Sequence, residues 1–289
     1  MSRIFASWGY CIHKIAQNSF LTKNNLFKET ARTRLFLQSL LLDKIYKKNE
    51  FRPIMEKEIE VSIVLPTYNE SMNIPNLVNR IDNSLALDKE IIIVDDNSPD
   101  KTWEIAEKLK NKNVRVIRRI EERGLVTAIQ KGIDEAKGKY IVWMDADGSM
   151  PPEKISEMIS LLKEHDVVVG SRYAKGGKDQ RTFLRVASSR FINLAANVIL
   201  NFKVLDYDSG FIAAKKEVLK EFPLDKEAAY GDYCIKFLYN AGKKHKIKEV
   251  GYLFTDRSAG ESKTASSLSG LFKFGMLYLK MIVNVRRGK

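Results

Sequence analysis

The sequence predicts an α/β fold in which helices cover a mostly parallel sheet, and three observations support this prediction. Short runs that are almost entirely apolar, such as 90–94 and 166–170, have the length and composition of buried parallel strands. Segments with helical spacing of apolar residues, such as 74–85, separate these runs. Polar residues recur where the runs end, which is the edge where such sheets bind their ligands.

The predicted elements alternate in a regular order from residue 60 to residue 170. Pro66 is expected to end the first strand, because proline cannot donate to a sheet ladder. Five strand–helix units in series favour a parallel sheet with helices on both faces. Strands are expected at 61–65, 90–94, 114–117, 140–144 and 166–170, and helices at 74–85, 102–109, 125–136 and 152–162.

The fourth predicted strand leads directly into two carboxylates, Asp145 and Asp147, which are separated by one residue. Carboxylates this close repel each other unless a cation neutralises them. A hard divalent ion with oxygen ligands, Mg²⁺ or Mn²⁺, suits such a pair. The alternative is an acidic turn that follows a strand and binds nothing.

A second acidic pair, Asp95 and Asp96, follows the second predicted strand. These carboxylates could bind the base or ribose of a nucleotide, as an acidic residue does in other nucleotide-binding folds. Their alternative role is to cap the next helix, but Asp100 is available for capping, so ligand binding is favoured. Neither the Gly-x-Gly-x-x-Gly fingerprint nor a Gly-x-x-x-x-Gly-Lys loop follows any predicted strand, which counts against nicotinamide enzymes and P-loop hydrolases.

The net charge of +13 predicts anionic partners, such as phosphates, nucleic acid or an anionic membrane surface. Residues 1–58 form a basic extension with a plausible amphipathic helix at 26–48, which could lie in a membrane interface, pack on the main domain or be loosely ordered. An alternative start at Met55 would leave this extension without a function.

Residues 266–289 contain an apolar helix with two lysines, for which a membrane-interfacial position is favoured over packing on the main domain.

Seven short segments occur in the order in which family 2 glycosyltransferases carry their signatures. The chain resembles this family and, within it, the dolichyl-phosphate mannose synthase group. The resemblance implies a GT-A fold, with nucleotide and acceptor halves in one domain spanning 59–265. The segments are 64–70, 94–100, 144–147, 170–177, 185–190, 208–211 and 257–263.

The resemblance also implies a set of site residues. Contacts to the donor nucleotide are expected from Pro66, Tyr68, Glu70, Asp95 and Asp96. Asp145 and Asp147 become the site for metal and diphosphate, with Ser149 where relatives often have glutamine. A hydroxyl is a weaker ligand than an amide, so water can complete the metal shell. Arg172, Arg185, Ser189 and Arg257, with Lys263, are expected around an acceptor phosphate or the donor diphosphate, because arginine pairs bidentately with phosphate oxygens.

The implied reaction is an inverting, metal-dependent transfer of a hexose to dolichyl or polyprenyl phosphate. Mannose is the first expectation and glucose the second, from GDP-mannose or a UDP-hexose, with Asp147, Arg185 and Arg257 as catalytic residues. A phosphate monoester has its second ionisation near pH ~6, so this acceptor needs no general base. The alternative acceptor is a sugar hydroxyl, which would require a base; Asp232 is the candidate, unless it only caps the following helix.

The expected location is peripheral, at the cytoplasmic face of a membrane. An anionic membrane surface and a small membrane subunit are the expected partners besides the two substrates. A nucleic-acid partner is not expected, because no binding motif is recognised and an acidic crevice repels phosphate unless it binds metal. A basic nucleic-acid-binding protein and a nucleotidyltransferase remain as alternatives from other functional classes.

Overall fold

The computed structural model describes residues 59–228, 232–255, 257 and 268–288, and the side chains of 268–274 are not part of this description. The predictions for the N-terminal extension 1–58 and for Lys263 lie outside these residues. The described part is an α/β fold, as the sequence predicts, with helices on both faces of a mostly parallel sheet.

The sheet has seven strands in the order β3-β2-β1-β4-β7-β5-β8. β7 runs antiparallel to both of its neighbours, β4 and β5, and the other pairings are parallel. A separate small ladder pairs β6 with β9. The strands are β1 Val61–Thr67, β2 Lys89–Asp95, β3 Val114–Arg118, β4 Tyr140–Trp143, β5 Val167–Ser171, β6 Lys178–Asp179, β7 Ile212–Lys215, β8 Ile247–Gly251 and β9 Leu253–Phe254.

Eight helices are described around this sheet. The first buries Ile74, Leu77, Val78 and Ile81, the spacing of a single apolar face. The helices are α1 Ile74–Ser84, α2 Thr102–Lys108, α3 Leu125–Glu135, α4 Ile155–Leu161, α5 Phe183–Leu200, α6 Lys216–Glu221, α7 Tyr233–Gly242 and α8 Leu268–Arg286, with a 3₁₀ turn at Pro152–Lys154.

Successive side chains of the central strands point to opposite faces, and each face has its own core. In β1, Ile63 and Leu65 belong to the cluster that contains α1 and α4, whereas Val64 belongs to the cluster that contains α3, α5 and α7. The core therefore fixes the strands from both sides and leaves their carboxyl ends for polar residues.

The first strand is longer than the sequence predicts. β1 continues through Pro66 to Thr67, so the prediction that Pro66 ends it is wrong. Proline is tolerated there because β4 pairs with β1 only as far as Val64, and the ladder on that side has already ended.

The C-terminal helix α8 packs on the main domain, against α5 and α7. Its Ile282 and Val285 are buried in the same core cluster as α5 and α7. One side of α8 therefore packs on the domain, and its membrane-interfacial position stays a prediction.

Candidate active site

The polar residues predicted to bind ligands come together at one edge of the sheet. β1, β2 and β4 are parallel, and their carboxyl ends lie side by side with Thr67 opposite Asp95. β7 is antiparallel, so its beginning reaches the same edge. Gly210, just before β7, lies against the acidic pair, since a Cβ there would be 3.7 Å from Asp145 Oδ1.

Asp145 and Asp147 follow β4 on a tight turn. Gly148 has a φ of +80°, a conformation that side chains disfavour, and the next N–H, that of Ser149, donates to Asp147 Oδ1 at 3.0 Å. Burial, together with the charges of Asp147 and Glu70, raises the pKa of Asp145 to about 7. The turn therefore concentrates negative charge that is incompletely balanced.

The hydroxyl of Ser149 supports the metal prediction. Its Oγ is buried and has no hydrogen-bond partner among the described residues. A buried hydroxyl without a partner is costly, and a cation between the carboxylates would satisfy it. No cluster of three or more His, Cys, Asp and Glu side chains in the described ranges has the arrangement of a metal site. Asp145, Asp147 and Ser149 offer oxygen ligands that would fit a Mg²⁺ or Mn²⁺.

Arg257 connects the acidic turn to the nucleotide side of the site. Its Nη2 lies 3.0 Å from Asp147 Oδ2 and 3.4 Å from Glu70 Oε1. Glu70 is buried and also accepts a hydrogen bond from Asn73 Nδ2 at 2.7 Å. The structure thus brings Glu70, expected near the base and ribose, close to the diphosphate end of the site.

The acidic pair after β2 is engaged within the protein. Asp95 is fully buried and accepts hydrogen bonds from Thr67 Oγ1 and from the N–H and Oγ of Ser98, at 2.6–2.8 Å. Asp100 accepts from the N–H of Thr102, the first residue of α2, from the position before the N-cap residue Lys101. Asp95 therefore stabilises the loop after β2 through its hydrogen bonds with Thr67 and Ser98. Its contact with a nucleotide stays a prediction.

Asp96 has a buried partner that the sequence did not reveal, Arg119. Arg119 Nε donates to Asp96 Oδ1 at 2.7 Å, and the N–H of Gly124 donates to Asp96 Oδ2 at 2.8 Å. Arg119 is only 7% exposed, which is unusual for arginine unless it is paired. No local pattern distinguishes Arg119 from its neighbour Arg118, so only the tertiary structure identifies it.

Arg172 makes contacts that differ from the predicted phosphate contact. Its backbone N–H and Nε both donate to Asp206, and its Nη2 bridges Asp206 and Asp208 at 2.5 Å. Arg172 is buried. Burial of Asp208 raises the pKa of this carboxyl, but the charge of Arg172 and the hydrogen bonds to Asp208 lower the pKa to about 2. Two carboxylates balance this guanidinium, so its contacts favour a role in holding the loop at 206–208, and phosphate binding stays a prediction.

Ser189 and Arg185 lie one helical turn apart on α5. Ser189 Oγ donates to Asp208 Oδ2 at 2.9 Å, and Asn193 Nδ2 donates to Asp208 Oδ1, also at 2.9 Å. Asp208 therefore joins Ser189 to Arg172. Arg185 is half-buried on the turn before Ser189, nearer the start of the helix.

Asp232 is only 5% exposed and directly precedes α7. Its side chain makes no capping hydrogen bond to α7, so the predicted alternative as a helix cap is wrong.

Comparisons with known proteins identify the family to which the chain belongs. Residues 62–222, more than half of the chain, match the family model described as glycosyl transferase family 2. The chain is 35% identical over 224 residues to dolichol-phosphate mannosyltransferase of Saccharomyces cerevisiae, covering 73% of this chain and 83% of that protein. It is 32% identical over 216 residues to polyprenol monophosphomannose synthase of Mycolicibacterium smegmatis, covering 71% and 81%.

An archaeal relative is longer than the matched region. Dolichol-phosphate mannosyltransferase of Pyrococcus furiosus is 42% identical over 212 residues, covering 71% of this chain but only 59% of that protein. The chain therefore matches less than two thirds of that relative's length.

Solved structures share the fold. Glucosyl-3-phosphoglycerate synthase from Mycobacterium tuberculosis, in complex with Mn²⁺, UDP-glucose and phosphoglyceric acid, has a TM-score of 0.62 at 19% identity, covering 79% of this chain and 80% of that one. The same enzyme with Mg²⁺ and UDP also has a TM-score of 0.62, at 20% identity and 80% coverage of both chains. The fold of the described residues is accordingly GT-A.

Proposed function

Because the chain belongs to glycosyl transferase family 2, we propose that it transfers mannose from GDP-mannose to a dolichyl or polyprenyl phosphate, with inversion at the sugar. The names of the relatives support this sugar and this class of acceptor. The observation that carries the proposal is the acidic turn of Asp145 and Asp147, with the buried Ser149 hydroxyl beside it and Arg257 across it. The proposed reaction is a single displacement, in which the acceptor oxygen bonds to the sugar as the bond to the nucleoside diphosphate breaks.

On the donor side, Asp145, Asp147 and Ser149 would hold Mg²⁺ or Mn²⁺ against the diphosphate. When bound, the ion would neutralise the charge that grows on the leaving nucleoside diphosphate. Arg257 lies 3.0 Å from Asp147 and supplies a fixed positive charge on the same side. The M. tuberculosis enzyme has been solved with both Mn²⁺ and Mg²⁺, which supports the same choice of ion here.

On the acceptor side, Arg185 is the proposed phosphate contact on α5, and Ser189, which would have to turn from Asp208 to the phosphate, lies one helical turn away. A phosphate monoester is largely a dianion at neutral pH, so its oxygen can attack the sugar without a general base. The protein then needs only to hold this oxygen in line with the leaving group. A hydroxyl acceptor would instead need a base, and the names of the relatives favour the lipid phosphate over that alternative.

The exposed face of α5 suggests how the lipid acceptor reaches the site. Leu184, Phe191, Leu194 and Val198, spaced seven, three and four residues apart, lie on one face of α5 and are 47–71% exposed. We call these four residues the α5 apolar row. Such a row beside basic residues is typical of a helix that lies in a membrane interface. We therefore propose peripheral attachment through this row at a cytoplasmic membrane face, where a small membrane subunit would contact the same residues.

Helix α5 also has the length and apolar composition of a membrane span, with a mean hydropathy of 1.2, but those criteria are weak. Its Ile192, Ala196 and Leu200 are buried in the core of the domain. This packing favours a helix that lies along the surface over one that crosses a bilayer.

A transfer assay tests the proposed function. Incubation with radiolabelled GDP- and UDP-sugars, polyprenyl phosphate and Mn²⁺ should give labelled mannose in the extracted lipid, with GDP-mannose as the donor. Asp145→Ala should abolish transfer, and Arg185→Ala should raise the KM for the lipid phosphate without changing the affinity for the donor. Arg80→Ala, at an exposed ion pair with Glu153, is the control. Label in a water-soluble glycan, or full activity of Asp145→Ala, would contradict the proposal.

A further inference from the structure

We propose that Arg123 recognises the base of the donor nucleotide and that it selects guanine. The proposal rests on the proposed function, because it assumes that a nucleotide lies across the carboxyl ends of β1 and β2. Two observations support it: the loop between β3 and α3 is held in place, and Arg123 extends from this loop to Tyr68 at the end of β1. The hydrogen-bonding pattern of guanine supplies the third argument.

The loop between β3 and α3 is fixed at both ends by Asp96. At its start, the buried Arg119 donates to Asp96 from Nε, and its Nη2 reaches the carbonyl oxygen of Gly124 at 2.9 Å. At its end, the N–H of Gly124 donates to Asp96 Oδ2. The N–H of Arg119 also donates to the carbonyl oxygen of Asp95 at 2.7 Å. Hydrogen bonds at both ends therefore hold residues 120–123 beside Asp96, which is a predicted nucleotide contact.

Arg123 extends from this loop toward Tyr68, which follows β1. Its guanidinium carbon lies 5.2 Å from the centre of the Tyr68 ring, and its Nη1 lies 3.4 Å from the Tyr68 hydroxyl. The strand order β3-β2-β1 places β2, with Asp96 at its end, between the two residues. The contact between Arg123 and Tyr68 thus joins the loop after β3 to the residue that follows β1, and the resemblance assigns both Tyr68 and Asp96 to the base and ribose.

The chemistry of arginine favours guanine at this position. Arg123 is exposed, and the hydrogen bond that it makes to Tyr68 is long, so its guanidinium can turn toward a ligand. A guanidinium carries five N–H donors and contacts the adjacent O6 and N7 acceptors of guanine bidentately. Adenine presents an amino donor beside N7 instead, which would face the arginine donors. Uracil has no ring nitrogen acceptor beside its O4 carbonyl.

Nucleotide titrations of the full-length protein test this proposal. Calorimetry with GDP, ADP and UDP, each with Mn²⁺, should show the tightest binding for GDP. Arg123→Ala should weaken GDP binding roughly 5- to 150-fold, the value of a bidentate arginine–guanine contact, and change ADP binding by less than about twofold. Arg123→Lys keeps the charge and can still donate to O6 and N7, but it loses the planar fork, so it should bind GDP more tightly than Arg123→Ala and less tightly than the wild-type protein.

Arg118→Ala is the matched control. Arg118 is the neighbouring exposed arginine at the end of β3, but it stacks on Trp103 at 3.8 Å and donates to Asn97 Oδ1. This variant should keep the preference of the wild-type protein for GDP. Equal losses for all three nucleotides in Arg123→Ala, or no loss at all, would overturn the proposal, because either result would mean that Arg123 does not read the base.

The titrations need no acceptor, so their outcome is separable from that of the transfer assay. If GDP preference depends on Arg123 but no labelled lipid forms, the proposed acceptor is wrong and the inference holds. If lipid is labelled but Arg123→Ala keeps the preference for GDP, the inference is overturned and the proposed function stands.

Discussion

At the scale of single residues, the acidic turn makes the apoprotein sensitive to pH. Burial, with the charges of Asp147 and Glu70, raises the pKa of Asp145 from 3.8 to about 7. Between these values the native protein binds a proton that the unfolded chain does not. The free energy of unfolding therefore falls as the pH rises through this window, and above about pH 7 the loss is complete. A bound divalent cation would replace that proton.

We predict that Asp145→Asn removes this pH dependence, because asparagine does not ionise. In EDTA, the variant should gain stability relative to the wild-type protein as the pH is raised from 5 to 8. Urea unfolding at both pH values measures the difference. Added Mn²⁺ should stabilise the wild-type protein at pH 8 and not the variant. An identical pH profile for the two proteins would mean that the Asp145 carboxyl ionises normally in the fold.

Arg172 shows how tertiary contacts change the interpretation of a residue. Removal of its side chain would leave Asp206 and Asp208 as buried charges with a lost partner. We predict that Arg172→Ala lowers the free energy of unfolding by about 3–5 kcal/mol. Arg185→Ala, in the same basic segment, should cost less than about 1 kcal/mol, because Arg185 is only half-buried. Urea unfolding compares the two variants, and a fully stable Arg172→Ala that loses only acceptor affinity would restore the phosphate role.

At the scale of secondary-structure elements, α5 has two apolar faces with different surroundings. One face buries Ile192, Ala196 and Leu200 in the core. The opposite face carries the α5 apolar row, whose exposure is otherwise unexplained by contacts within the described chain. Isolated exposed apolar residues are ordinary, but a contiguous row indicates a contact surface.

We predict that Phe191→Glu weakens binding to phosphatidylglycerol vesicles by at least several-fold, because it adds a negative charge to the middle of this row. Vesicle co-sedimentation measures the effect. Urea unfolding and GDP binding should not change, since Phe191 is exposed and lies on the outer face of α5. Asn76→Glu, on the exposed side of α1, adds the same charge elsewhere and should leave vesicle binding near that of the wild-type protein. Equal losses in both variants would indicate a general charge effect instead of the α5 apolar row.

The sequence does not predict α5 or β7, and the reasons are physical. The first turns of α5 carry basic residues, and apolar residues on both of its faces obscure the helical period. β7 contains two alanines and runs antiparallel between strands that arrive from distant parts of the chain. By contrast, β1 to β5 and α1 to α4 follow from local periodicity, which a single sequence displays directly.

At the scale of the whole molecule, the same distinction separates the predicted parts of the site from the rest. Asp145, Asp147 and Ser149 are neighbours in the chain, so the sequence alone brings them together. The contact of Arg257 with Glu70 joins residues 187 positions apart, and no spacing rule indicates it. The burial of Arg119 likewise depends on its tertiary partner Asp96. A group of site residues that lies on one turn can therefore be predicted from the sequence, whereas contacts between distant residues are known only from the folded structure.

The antiparallel strand has a consequence for how this architecture can diversify. β5 and β7 are hydrogen-bonded neighbours, so the chain leaves the sheet after Ser171 and returns at Ile212, almost beside its point of departure. Residues 172–211 contain α5, with Arg185 of the proposed acceptor site, and the ion pairs of Arg172 with Asp206 and Asp208. An exchange of this stretch between relatives would have to preserve these two adjacent backbone positions, the pairing of β6 with β9 and the buried face of α5. A new lipid preference could then be inherited in one step while the strands that hold the donor stay unaltered.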